Sequence, residues 1–254
     1  RQFRPDLVIG LGGGSVMDVA KLVAVLWDAE QSVPEVVGAG KINGRRTALV
    51  QVPTTSGTGS EAGTRALVTD PETLAKLAVE SEHMLADIAI LDPELTHSVP
   101  SAVTAATGVD ALAHCVEAFT NIKAHPLIDG YARLLASYYG GFCLGPVNTA
   151  SGHALAYPLG TRLKLPHGLA NAIIFPHVLA FNASFCTEKT GEILSLLNLG
   201  ADTSAAGVLQ SAHGFCKQLG VEMDLSRHGA LPDALPAWAS EAHAIRRLMD
   251  NNPR

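Results

Sequence analysis

The stretch Pro5 to Trp27, PDLVIGLGGGSVMDVAKLVAVLW, changes character twice within 23 residues. PDLVIGL is a short apolar run rich in β-branched side chains, Gly12-Gly13-Gly14-Ser15 interrupts it, and VMDVAKLVAVLW then repeats apolar residues at helical spacing. Strand, glycine turn and helix in direct succession are the opening of an α/β fold. Glycines there let a backbone approach an anion with no Cβ in the way, and the free N–H groups at a helix start attract negative charge. The turn fits the G-x-G-x-x-G fingerprint only loosely, so on its own it reads equally well as a phosphate grip or as close packing. Asp18, by the same reasoning, either serves that grip or steadies the first helical turn.

Outward from this unit, residues 31 to 46 carry Pro34, Gly38, Gly40 and Gly44 among mixed charges, a surface connection by composition. TALVQVP (47–53) predicts a second buried strand. It feeds Thr54-Thr55-Ser56-Gly57-Thr58-Gly59-Ser60-Glu61, hydroxyls, glycines and one acid, which reads as a polar loop with a helix cap or as a ligand-contacting loop. ALVTDPETLAKLAVES (66–81) alternates and turns at Asp70-Pro71 like a hairpin, and ADIAILDPEL (86–95) predicts a further strand that ends in Asp92-Pro93. From Pro100 strand signals fade and Ala- and Leu-rich helical spacing takes over. The expected organisation is an α/β domain over 1–98 and an all-helical domain over 99–254.

The helical part holds the densest chemistry. Asp110 and His114 stand four apart in GVDALAHCVEAF and leave one helical face. His153 in SGHALAYPLG and His167 in LPHGLANAIIFPH each adjoin Gly or Pro at an expected helix end. One carboxylate with three imidazoles suits a borderline divalent cation such as Fe²⁺ or Zn²⁺, whereas Ca²⁺ or Mg²⁺ requires mostly oxygen. An isolated Asp-x-x-x-His pair on an apolar helix more often belongs to a hydrogen-bonded core than to a metal site.

Composition bounds the rest. With 254 residues, 47% hydrophobic and 17% charged, the chain can bury a sizeable core. A net charge of −6, with no basic cluster beyond Arg45-Arg46 and Arg246-Arg247, argues against a nucleic-acid partner. Cys115, Cys143, Cys186 and Cys216 show no CxxC spacing and sit among apolar neighbours, as in a reducing compartment. Neither a signal sequence nor an apolar run of membrane-spanning length appears, so the expectation is a cytoplasmic protein with no membrane partner.

GLGGGSVMDVAK, PTTSGTGSE, GVDALAH and HALAYPLGTRLKLPHG, in this order between Asp6 and Asn182, closely resemble the iron-containing (group III) alcohol dehydrogenase family. The resemblance implies an incomplete Rossmann-like dinucleotide-binding domain followed by an all-α metal-binding domain, the dehydroquinate synthase-like fold. It implies Asp110, His114, His153 and His167 as ligands of Fe²⁺, with Zn²⁺ the alternative. It further implies Gly13, Gly14, Ser15, Asp18, Thr54, Thr55, Thr58, Leu67, Lys76 and Leu95 as contacts of NAD or NADP. His125 and His177 have no ligand role in the family pattern. The activity implied is hydride transfer between an alcohol and an aldehyde or ketone by a homo-oligomer, with a dimer favoured. A lyase of the dehydroquinate synthase type and an inert assembly subunit are the competing classes.

Three departures from the family stand out. The chain begins about ten residues before the glycines, so the residue that selects NAD over NADP is not among those given. Ala132-Arg133-Leu134-Leu135 passes almost straight across a place where relatives carry a longer helical segment. Finally, Tyr157 stands where a second histidine often assists proton transfer. A tyrosine there can line the proton exit, but with a pKa near 10 it is a weaker relay at neutral pH.

Overall fold

A computed structural model describes residues 4–70, 72–73, 76–135 and 137–254. The chain divides into two compact units, 1–99 and 100–254.

In the first unit, β1 (Leu7–Gly12) runs into α1 (Gly14–Leu26), then α2 (Val33–Val36), β2 (Gly38–Ala39), β3 (Ala48–Pro53), β4 (Arg65–Thr69), β5 (Lys76–Glu80) and β6 (Ile88–Ala89). These strands make two three-stranded sheets, ordered β1-β3-β6 and β2-β5-β4. The first is all parallel, with Leu7 opposite Ala48, Gly12 opposite Pro53 and Val50 opposite Ile88. Parallel register brings the carboxyl ends of β1 and β3 side by side, so the glycine turn and the threonine loop leave from the same edge. In the second sheet β4 and β5 are antiparallel, Arg65 facing Glu80 and Thr69 facing Lys76, as the alternating pattern implied. Of the expected turn, Asp70 is described and Pro71 lies outside the described residues.

Two expectations for this unit need correcting. Residues 31–46 are not a plain connection: Ser32 and Glu35 form a capping box that starts α2, with Pro34 in its first turn, and Gly38–Ala39 pairs in parallel with β5. The strand expected from Ala86 up to Asp92-Pro93 shrinks to Ile88–Ala89. Asp92 there accepts a hydrogen bond from the Glu94 N–H and opens a 3-10 turn over Pro93–Thr96 instead.

The second unit is helical: α3 (Ser101–Thr120), α4 (Pro126–Ala132), α5 (Ser137–Val147), α6 (Ser151–Arg162), α7 (His167–Asn182), α8 (Thr187–Leu196), α9 (Ala205–Gln218), α10 (Leu235–His243) and α11 (Arg246–Met249). Its centre is α3, buried nearly all round from Val109 to Thr120 and packed by α5 and α7. Val109, Leu112, Val116, Phe119, Ile173, Phe175 and Leu179 form the main core with Val208 and Cys216 of α9. A helix apolar on every face belongs in the interior, which is why polar side chains along α3 are conspicuous. Cys115, Cys143 and Cys216 are buried and none of the four cysteines is in a disulfide among the described residues; burial pushes the Cys143 thiol up to about 11 and the Cys216 thiol to about 12. Between α4 and α5 the chain passes through Leu135 in the left-handed region, with φ +48°. Among the described residues no helix is long and apolar enough to cross a membrane.

Candidate metal centre

Asp110, His114 and Glu117 leave α3 at positions i, i+4 and i+7, and all three are buried. Helical geometry therefore stacks them on one stripe. His153, in the first turn of α6, and His167, the first residue of α7, meet that stripe. One donor atom from each of Asp110, His114, His153 and His167 lies within 4.8 Å of the others. Asp110 Oδ1 is 3.6 Å from His153 Nε2 and 4.0 Å from His167 Nε2, and the His114 and His153 rings stack with centroids 4.6 Å apart.

Among the described residues, three buried atoms of this cluster, Asp110 Oδ2, His114 Nδ1 and His153 Nε2, have no hydrogen-bond partner. Buried polar atoms are almost always satisfied, and leaving one orphaned costs on the order of 1–3 kcal/mol. Three orphans converging from two helices make a cradle for a positive charge. The donor set, three imidazoles and one carboxylate, is that of a borderline divalent ion.

The electrostatics agree. Burial opposes the ionisation of Asp110, but the facing imidazoles of His114 and His167, with His153, outweigh it and hold the carboxyl well below the usual range. Burial, seconded by His153 and His167 against the pull of Asp110, lowers the His114 imidazole to about 4. At His153 burial is overcome by Glu117 and Asp110, which raise it to about 10. Two buried carboxylates, Asp110 on the Nε2 side of the His153 ring and Glu117 on its Nδ1 side, thus favour positive charge at this cluster.

Glu117, which sequence reasoning passed over, holds His153 in place. Its Oε2 lies 3.0 Å from His153 Nδ1 and also accepts from the Ala150 N–H, while Oε1 accepts from the His153 N–H at 3.1 Å. One carboxylate therefore caps the start of α6 and accepts a hydrogen bond from the Nδ1–H, which turns the Nε2 lone pair towards the cluster. The approach is close: a Cβ at Gly152 would stand 2.0 Å from Glu117 Oε1, so the glycine before His153 is a steric requirement. Glu117→Gln is expected to weaken metal affinity about 10- to 100-fold, read by chelator competition, with Glu117→Asp recovering part of it. Equal affinity in the Gln variant would remove Glu117 from this role. Asn171, one turn after His167, was missed as well; its amide donates to Asp110 Oδ1 at 2.7 Å and lies 3.1 Å from His167 Nε2.

In the first unit, Gly13 is the N-cap of α1 and its carbonyl accepts from Val16 and Met17, leaving the Gly14 and Ser15 N–H groups outside the helical ladder. Thr55 and Thr58 face this turn: a Cβ on Gly13 would meet Thr55 Oγ1 at 3.6 Å, and one on Gly14 would meet Thr58 Cγ2 at 2.6 Å. Thr54 joins through its N–H, which donates to Gly12 O at 3.0 Å. Asp18 does not cap the first turn. Its oxygens accept from Ser60 Oγ at 2.6 Å and from the Leu67 N–H at 2.9 Å, so it ties the threonine loop and β4 to α1. Lys21, fully buried, adds a tether to Ser60 Oγ and Arg65 O; burial, against Asp18 and Glu61, brings its ammonium down to about 8. Lys76 bonds across the hairpin to Thr69 Oγ1, and Leu95 is 37% exposed in the 3-10 turn.

Comparison with known proteins agrees with this arrangement. Residues 1–93 match the family model for iron-containing alcohol dehydrogenase, and residues 131–254 match that for the C-terminal part of the Fe-containing alcohol dehydrogenase family. Long-chain-alcohol dehydrogenase 1 of Geobacillus thermodenitrificans is 35% identical across the whole chain and 72% of its own length. The chain belongs to the iron-containing alcohol dehydrogenase family. That alignment runs over 289 positions against 254 residues here, so the bacterial relative carries additional residues inside the matched span. Among solved structures of the family's fold, a 1,3-propanediol oxidoreductase superposes with TM-score 0.91 at 29% identity, over 98% of this chain and 73% of that one. Sulfoacetaldehyde reductase from Bifidobacterium kashiwanohense, solved with NAD⁺, gives 0.86 at 25% identity, over 98% and 72%. Family membership makes this an enzyme of alcohol and aldehyde redox chemistry.

Proposed function

We propose that the chain interconverts an alcohol and an aldehyde or ketone, with Asp110, His114, His153 and His167 holding Fe²⁺, or Zn²⁺, and with NAD or NADP as hydride carrier. The observation that carries this is the convergence of four donor side chains with three orphaned buried atoms among them. A divalent ion held there supplies Lewis acidity to the substrate oxygen, and the nicotinamide supplies or accepts the hydride. The chain's own residues bind and orient. Asp110 contributes the negative charge that anchors the ion, His114 and His153 are fixed by stacking and by Glu117, and His167 closes the set from α7.

In the first unit, which we assign as a dinucleotide-binding domain over 1–98, the N–H groups of Gly13, Gly14 and Ser15 would take the diphosphate. Thr54, Thr55 and Thr58 offer hydroxyls from the facing loop, with Leu67, Lys76 and Leu95 contacting the cofactor farther out. Asp18 serves by holding that loop. Residues 99–254 form the metal-binding and substrate domain.

Tyr157 lies one turn after His153 on α6, its ring 6.3 Å from that of His167, and we assign it to the proton exit. The names of the relatives are those of dehydrogenases and reductases, which favours redox chemistry over a lyase or an inert subunit. The expected behaviour is oxidation of NADH or NADPH on adding a short aldehyde in the presence of Fe²⁺, lost on chelation and restored by the metal. Full turnover by protein verified to be metal-free would overturn the assignment.

A further inference from the structure

Three arginines lie along α6 and α11, and two of them are paired with acids. Arg162 donates to Glu241 and Arg246 pairs with Asp250. Arg247 differs. Among the described residues no carboxylate lies within ion-pair distance of it, and its guanidinium instead donates to the Tyr157 hydroxyl at 3.3 Å and leans over that ring, with Cζ 5.8 Å from the centroid.

This placement is held by structure, not by chance contact. Asn251 donates from its amide to the Arg247 carbonyl at 3.0 Å and to the Thr149 carbonyl at 2.9 Å. Asn252 accepts from Ser151 at 2.7 Å and exchanges hydrogen bonds with Asn182. The buried amides of Asn251 and Asn252 therefore pin α11 to the start of α6, the helix that also carries His153 and Tyr157. Tyr157 sits one helical turn from His153, on the same face. Its ring spacings to His167 and to the guanidinium bound Arg247 to about 12 Å from the His167 ring. An exposed guanidinium with an uncharged partner, held no farther than about 12 Å from the His167 ring, offers its remaining N–H donors to an oxyanion.

We propose that Arg247 binds an oxyanion, carboxylate or sulfonate, carried by the substrate a few carbons from its carbonyl, so that the preferred substrates are short anionic aldehydes or ketones. The inference rests on the carbonyl chemistry assigned above and deepens it by naming a substrate class. Tyr157 backs the guanidinium and limits the directions in which it can bond.

The test compares three aldehydes of equal chain length, ending in a carboxylate, a sulfonate or a methyl group, with Fe²⁺-loaded protein and reduced cofactor. The expected result is a higher kcat/KM for the two oxyanion substrates than for the methyl one. Arg247→Gln should lower that ratio about 10- to 100-fold, chiefly through KM, and Arg247→Lys should keep part of it. Arg246→Gln, whose partner is Asp250, should leave the ratio within about twofold. A preference for only one of the two oxyanions identifies which group the site takes. Calorimetric titration with the three product alcohols should give the same order without turnover. Turnover of the methyl aldehyde with no oxyanion preference, or an Arg247→Gln variant that keeps the preference, overturns the proposal while the carbonyl chemistry stands. Absence of turnover with every aldehyde overturns both.

Discussion

Asp110→Asn is expected to leave the protein folded and to remove its bound metal and its activity together. The substitution keeps the volume and shape of the side chain while deleting the buried charge that faces three imidazoles. Metal content by elemental analysis should fall from about one ion per chain to a small fraction. The rate should drop by about three orders of magnitude, since the ion's Lewis acidity is worth several kcal/mol and each 1.4 kcal/mol is tenfold. His114→Ala should do the same, with an added loss of stability because the ring is packed against His153 in the core. Circular dichroism separates the two effects. A variant of Asp110 that keeps both its ion and its turnover would mean that the four side chains meet for structural reasons alone.

Gly14→Val should instead damage cofactor binding with the fold nearly intact. A Cβ there would come 2.6 Å from Thr58 Cγ2 and 3.0 Å from its Oγ1, filling the space between the glycine turn and the threonine loop. The neighbour is a side chain able to rotate, and valine in a first helical turn is no worse than glycine for the helix, so folding should change by no more than about 1 kcal/mol. The Kd for NADH, measured by fluorescence titration, should rise about 100-fold, because branched carbons would cover the N–H groups that meet the diphosphate. Unchanged affinity in a folded Gly14→Val protein would rule out this turn as the grip.

The elements carrying these sites were readable because each announces itself locally. A β-branched run stopping at three glycines, and an Asp and a His four apart on an otherwise apolar helix, are patterns within one turn or one strand. What escaped depends on partners far away in sequence. Glu117 is three residues after His114, yet its bonds are to Ala150 and His153, and no periodicity links them. Asp18 was visible as an acid near the glycine turn, but its partners Ser60 and Leu67 are set by how the loop folds back over α1. The shortened β6 shows the reverse error. ADIAILDPEL has the composition of a strand up to Asp92-Pro93, but its pairing with β3 covers only Ile88–Ala89. The start of α2 was missed although its signal, the capping sequence Ser32-Val33-Pro34-Glu35, is local, because the glycines that follow it read as a connection.

The clamp of Asn251 and Asn252 on α6 also has a bearing on the order in which the molecule forms. The Ser151–Asn252 bond joins residues 101 apart in sequence, and Asn251 reaches Thr149 over a similar distance. Loops of that length close slowly, and no contact rewards the closure until both ends arrive. Helices α3, α6 and α7 can each form early from local contacts, but the ends of α6 and α11 are fixed to one another only after this long-range step. Refolding should therefore regain helix signal first and a tight metal-binding cradle later, so the rate of metal uptake is a clock for the last stage of folding.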